Sequence, residues 1–109
     1  MLLYLYYDTT TMKNTQAIKK EIDNIKKTLM ALDRIRPGSL TTQKRARGTK
    51  YHQLSYSYNG KGHTEYVRKK DVPAVRKELE NYQKFRKLIT TWVGLEIKLA
   101  RKKYSRNKK

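Results

Sequence analysis

Apolar residues recur at Ile18, Ile22, Ile25, Leu29 and Leu32, at spacings of four, three, four and three, which puts all five on one stripe of a helix. Asn14 or Thr15 can supply the N-cap oxygen. Arg36-Pro37-Gly38 closes the element, because Pro37 disfavours helical backbone at Arg36 and Gly38 permits a turn. The pattern predicts a helix over residues 15–35. Upstream, MLLYLYYDTTT at residues 1–11 is rich in Leu, Tyr and Thr and reads as a short strand or an N-terminal arm. Met12 would serve equally well as a translation start, which would leave that arm outside the folded unit.

Between Ser39 and Arg68 the pattern changes to polar β-formers with few helix formers. Tyr51–Tyr58 and His63–Arg68 flank Asn59-Gly60-Lys61-Gly62, and Asn-Gly is the strongest short hairpin signal. Whether the loop holds two residues or four, the register shifts by an even number and the two faces are the same. One carries His52, Leu54, Tyr56, Tyr58, His63, Glu65 and Val67, the face expected to pack on helices. The other carries Tyr51, Gln53, Ser55, Ser57, Thr64, Tyr66 and Arg68 and is left for solvent or a ligand. Ser39–Gln43 could add a third antiparallel strand, joined through the loop Lys44–Lys50.

A second helix is expected to open at Asp71, a good N-cap, with Pro73 tolerated in the first turn where amide donors are unpaired anyway. Val75, Leu79, Tyr82, Phe85, Leu88, Ile89, Trp92, Val93, Leu95, Ile97 and Leu99 give it a broad apolar face through at least residue 100. Some thirty residues at about 1.5 Å each reach roughly 45 Å, more than one small sheet covers. The first helix, or a second subunit, must cover the rest. Trp92, Phe85 and Tyr82 are expected in core or dimer packing.

Composition adds one dominant fact. The 109 residues hold 27 Lys+Arg against 9 Asp+Glu, a formal charge of +18. With 37% hydrophobic residues and no cysteine, one modest core is expected, without a disulfide framework or a thiolate metal site. The run from Met1 to Tyr7 is far below the roughly 20 apolar residues that span a bilayer, and no basic segment precedes it as in a signal peptide. A soluble, cytoplasmic protein is the expectation. Its organisation reads as an arm or strand at 1–11, a single α+β domain at 12–103 and a basic tail at 104–109.

Four segments, RPGSLTTQ (Arg36–Gln43), YHQLSYSYNGK (Tyr51–Lys61), YVRKKDVPAVRKELENYQKFRKL (Tyr66–Leu88) and WVGLEIKLA (Trp92–Ala100), resemble a small uncharacterised bacterial and archaeal domain family with no established activity. They cover roughly the C-terminal two thirds of the chain, and LENYQKFR is the most specific string. The resemblance implies a mobile-element context, since genes of this kind lie near insertion-sequence transposases. Typical members place a cluster C-G-x-x-x-C-x-C, then His-Gly-Pro-Tyr-Tyr, between the Gly-Ser-Leu motif and the hairpin. This chain has Lys44-Arg45-Ala46-Arg47-Gly48-Thr49-Lys50-Tyr51 there, so whatever those cysteines do in the family it must do without.

Catalysis needs a base, nucleophile or metal in reach of a substrate, and little is on offer. His52 and His63 share a hairpin face, but with only Glu65 nearby they fall short of the usual three or four metal ligands and read as packing or surface residues. The nine tyrosines are accompanied by no His-x-His motif, acidic triad or Gly-rich phosphate loop. No enzymatic activity, metal or cofactor is expected.

The basic residues carry more. No acidic residue interrupts Arg34, Arg36, Lys44, Arg45, Arg47, Lys50 and Lys61, and after Glu96 the chain continues through Lys98, Arg101, Lys102, Lys103, Arg106, Lys108 and Lys109 without a carboxylate. Two acid-free zones create a field that surface salt bridging does not explain and that phosphate neutralisation does. Neither helix pairs its basic residues with a membrane-inserting apolar edge, so an anionic membrane is disfavoured. Tyrosines simply suit strands, yet Tyr51 and Tyr66 with Gln53 and Arg68 could also stack on bases and bond to their edges.

The expected architecture is α+β: an N-terminal helix, a small antiparallel sheet of two or three strands, and a long C-terminal helix packed on the first, with the hairpin capping them and a homodimer through the long helix. The expected function is non-catalytic binding of DNA or RNA, as an accessory or regulatory factor of a mobile element or phage. Its interface would comprise Lys44, Arg45, Arg47, Lys50, Tyr51, Gln53, Lys61, Tyr66, Arg68, Lys69, Lys70, Arg101, Lys102, Lys103 and Arg106. The alternative is a protein-directed inhibitor or assembly factor that docks on a nucleoprotein complex.

Overall fold

A computed structural model describes the backbone of residues 2–104 and the side chains of residues 14–102. The elements run α1 (Leu2–Ala31), β1 (Ser39–Lys44), β2 (Lys50–Tyr58), β3 (Lys61–Val67), a 3-10 turn (Lys69–Asp71) and α2 (Val72–Tyr104). The α+β expectation holds in kind and in order. The structure gathers into two compact units, one from residues 2–31 and 87–104, the other Leu32–Arg86.

In the helical unit, Ile18, Ile22, Ile25 and Leu95 are buried together, with Leu29, Leu88, Trp92 and Leu99 packed against them. The stripe on α1 thus meets the second half of α2, as the spacing implies. The Trp92 indole N–H donates to Glu96 Oε2 at 3.0 Å, and Lys26 Nζ lies 5.3 Å from the ring centroid. Val93 and Ile97, expected on the apolar face, are instead 53% and 49% exposed. At about 100° per residue, positions two before and two after Leu95 fall on the far side of the helix.

Two boundaries of α1 differ from the expectation. Residues 2–11 are helical, not a strand, and Asn14 and Thr15 lie inside the helix rather than capping it. No Gly or Pro occurs between Leu2 and Ala31, and once a packed helix exists each added residue gains a hydrogen bond without a new nucleation cost. At the other end the helix stops at Ala31, short of residue 35. The Arg36 amide donates to the Glu78 carbonyl at 3.1 Å and the Asn81 amide side chain to the Arg34 carbonyl at 2.9 Å. These bonds to α2 hold the connection in an extended path, which helix would forbid.

The sheet unit is a three-stranded antiparallel sheet in the order β1-β2-β3. The loop between β2 and β3 is the two-residue form, since Tyr58 pairs with Lys61. Asn59 (φ 52°) and Gly60 (φ 76°) both adopt positive φ, the requirement of the tight hairpin turn that Asn-Gly favours. The third strand is present, with Leu40 opposite Leu54 and Gln43 opposite Tyr51. Leu54 (0% exposed), Val67, Val75 and Leu79 form this unit's core, flanked by Leu40, Tyr56 and Val72. The described residues therefore form two cores where composition suggested one, because successive stretches of α2 serve different partners. Pro73 lies in the first turn of α2, and Asp71 directly precedes it as the last residue of the 3-10 turn. Tyr82 and Phe85 are half-buried with ring centroids 6.2 Å apart.

Candidate nucleic-acid interface

Alternation along the strands sorts the hairpin side chains as expected. Leu54 faces α2, and with it go His52, Tyr56, His63, Glu65 and Val67. The sheet's sole acidic residue, Glu65, accepts a hydrogen bond from the Tyr56 hydroxyl at 3.2 Å. Desolvation, then the bond to Glu65 and its charge, push the Tyr56 pKa above the ordinary tyrosine value. Arg36 supplies the counter-charge on this side: its Nε is 2.8 Å from Glu78 Oε1 and a terminal nitrogen is 3.9 Å from Glu65 Oε2. The closer contact is a charge pairing without good hydrogen-bond alignment, since Glu78 Oε1 accepts no well-directed bond. This network was not legible in the sequence, where Arg36 stands twenty-nine residues from Glu65 and forty-two from Glu78.

The opposite face bears Thr41 and Gln43 from β1, Tyr51, Gln53 and Ser55 from β2, and Thr64 and Tyr66 from β3. It carries no carboxylate and no aliphatic side chain. Gln53 sits directly opposite Tyr66. The Tyr51 and Tyr66 rings lie on the diagonal with centroids 6.5 Å apart and planes 28° from parallel. The Arg45 guanidinium carbon is 5.0 Å from the Tyr51 ring centroid, within cation–π range. Gln43 Nε2 donates to Thr41 Oγ1 at 3.3 Å, which orders β1's polar row.

Arg45 reaches Tyr51 because the β1–β2 loop folds back. The Arg45 amide donates to the Thr49 carbonyl at 2.8 Å, and the Gly48 amide to the Arg45 carbonyl at 2.9 Å. Gly48 takes φ +86°, a conformation that glycine adopts without a Cβ penalty. Arg47 is exposed at the loop tip. Lys44 and Lys50 are direct cross-strand partners, an arrangement in which like charges repel. Among the described residues no carboxylate pairs with Lys44, Arg45, Arg47 or Lys50.

The structure brings some of the proposed residues together and separates others. Arg45, Tyr51, Gln53 and Tyr66 share one face. Lys44 and Lys50 belong by alternation to the other face, at the sheet's end. Arg68 (φ −66°, ψ 146°), Lys69 and Lys70 follow β3 at that same end and are exposed. Arg68 lies beyond the last paired residue, Val67, so the strand register does not place it on the outward face. Lys61 is at the hairpin tip, paired with Tyr58, which stands eight positions along β2 from Lys50, or about 26 Å at 3.3 Å per residue. It does not join the cluster. Arg101 and Lys102 belong to the helical unit. The Lys103 side chain and Arg106 lie outside the described residues.

His52 Nδ1 is 3.3 Å from Thr42 Oγ1, and His63 stacks on Tyr56 with centroids 5.0 Å apart. Among the described residues no three His, Cys, Asp or Glu side chains converge as metal ligands do. Excess chelator is therefore expected to leave the thermal melt of the protein unchanged. Stoichiometric zinc in elemental analysis of the purified protein, with a melt that falls on its removal, would contradict this. No helix among the described residues is long and apolar enough to cross a membrane.

Searches of curated proteins and of solved structures find no match to this chain. A family model does match: residues 15–77 fit the Domain of unknown function (DUF6788). The matched stretch takes in most of α1, the whole sheet with its outward face, and the start of α2. It ends before LENYQKFR, which carries part of the sequence resemblance. Covering more than half of the 109 residues, the match makes this chain a member of the DUF6788 domain family.

Proposed function

We propose that this protein binds nucleic acid without catalysing a reaction on it, through the outward face of the sheet and the basic loop beside it. The observation that carries the reading is the row Arg45, Tyr51, Tyr66, beside an end of the sheet where Lys44, Lys50 and Arg47 cluster without a carboxylate. Like charges held together cost stability unless an anion joins them. A polyphosphate backbone supplies that anion at regular spacing and releases counterions on binding. A partner of the protein class is less well matched, because lysine is depleted from protein interface cores and Lys44 and Lys50 stand side by side at this end of the sheet. In the cell the reading is of a cytoplasmic accessory or regulatory factor of a mobile element or phage, acting as a homodimer through the long helix.

The loop and the C-terminal basic segment are expected to contribute differently. Arg45 is already held by Tyr51 and by a closed loop, so it loses little freedom on binding. Arg also forks onto phosphates and guanine edges where Lys acts mainly as a point charge. Changing Arg45 and Arg47 together to Ala should weaken binding more per charge than deleting residues 104–109, and alter the preference among probes. The deletion should weaken all probes alike and flatten the log-log salt dependence by about 0.9 per lost phosphate contact on duplex DNA. Salt titrations by fluorescence anisotropy, with folding checked by circular dichroism, measure both. If wild type binds no probe at low salt, and a pull-down keeps its partner after nuclease digestion, the protein-directed alternative replaces this one.

A further inference from the structure

The outward face is asymmetric in a way that specifies what it takes. Tyr51 has the Arg45 guanidinium at 5.0 Å from its ring centroid and Tyr66 as its diagonal neighbour, and it is half-buried. Tyr66 is 65% exposed and has no cation over it among the described contacts. The amide side chain directly across from Tyr66 is Gln53, which offers donors and an acceptor at once. We infer that Tyr66 is the stacking platform for an unpaired nucleobase, with Gln53 addressing the base edge and Arg45, fixed on Tyr51, the adjoining phosphate, so that the protein selects single-stranded over duplex nucleic acid.

The inference rests on the nucleic-acid reading above and narrows it. In an intact duplex both faces of every base are already stacked on neighbours, so a tyrosine ring finds no free face. Unpaired bases present theirs, and ring stacking is tolerant of sequence because every base has one. The geometry of the sheet agrees. Three strands at about 4.8 Å spacing put the outer two about 10 Å apart before side chains are added, whereas the B-DNA major groove, about 12 Å wide, admits a helix or a two-stranded ribbon. With β1 and β3 both paired to β2, the face is too broad to enter a groove and broad enough to lie along a strand. DNA and RNA single strands share the chemistry of the stacked base and the phosphate, and differ in the 2′-hydroxyl and the thymine methyl.

The test is binding of the full chain to matched single-stranded DNA, single-stranded RNA and duplex DNA of one length and one ionic strength, for wild type and four variants. Wild type should bind at least one single-stranded probe more tightly than the duplex. Tyr66→Ala should weaken that binding by about 5- to 150-fold, the range of base–aromatic stacking, with little change on the duplex. Tyr66→Phe should keep the affinity, since the ring and not the hydroxyl stacks. Gln53→Ala should narrow the differences among homopolymer probes. Tyr58→Ala is the control: Tyr58 is 64% exposed but lies on the opposite face by alternation, and its loss should change nothing. Equal binding of duplex and single strands, or indifference to Tyr66→Ala, overturns this inference while leaving the nucleic-acid function standing. Failure of wild type to bind any probe overturns both.

Discussion

Replacing Gly38 by Ala should destabilise the sheet unit by about 2–5 kcal/mol, from backbone strain and overpacking together. Gly38 holds φ at +121°, where a side chain is strained whatever the space. Space is also lacking: an added Cβ would sit 2.5 Å from the Ser55 carbonyl oxygen and 2.9 Å from Tyr56 Cβ, with Leu54 Cδ1 at 3.2 Å. Two of those neighbours are atoms of β2's framework and cannot turn aside as the end of a flexible side chain would. Relieving the clash would push the Arg36–Ser39 connection off β2 and loosen β1, whose first residue is Ser39 paired with Ser55. Gly48→Ala is the comparison. Gly48 also has positive φ, at +86°, but nothing lies within 4 Å of its added Cβ, so only the conformational cost of about 1–2 kcal/mol remains. Urea unfolding of both variants separates the two terms. Equal midpoints would show that Gly38 is not packed on β2 as described.

Ile22→Asp should be at least as damaging to the helical unit. Ile22 is 4% exposed within the cluster of Ile18, Ile25 and Leu95, and an unpaired carboxylate placed there must either stay charged without a partner or take up a proton at a cost. Losing the isoleucine's burial adds to this, for a total of about 3 kcal/mol or more. Ile97→Asp gives the contrast on α2, since Ile97 is already 49% exposed and surface changes of this kind stay within about 0.5 kcal/mol. Melts followed by circular dichroism at 222 nm should show a large fall in the first and little in the second. If the two variants melt together, α1 does not bury this stripe against α2.

Much of the molecule is written in local pattern. The four-three-four spacing from Ile18 to Leu29 is enough to define a buried stripe, because a helix has one period and a stripe must be covered. Asn59-Gly60 specifies the hairpin turn, and a period of two then assigns each side chain of β2 and β3 to a face without reference to anything distant. The outward row Tyr51, Gln53, Tyr66 is therefore legible in the sequence alone. What covers each apolar stretch was not. That Leu95 and not Val93 or Ile97 meets α1 depends on the rotation of α2 about its axis, which packing sets. The end of α1 at Ala31 depends on Asn81 and Glu78, residues some fifty positions downstream whose bonds to Arg34 and Arg36 exist only once the sheet unit has formed. Among the candidate residues the same division holds. Counting charges placed Lys61 and Arg45 on equal terms, since both lie in one acid-free stretch. The register separates them, sending Lys61 to the far end of the hairpin and returning Arg45 onto Tyr51, because strand pairing converts sequence distance into position and charge composition does not.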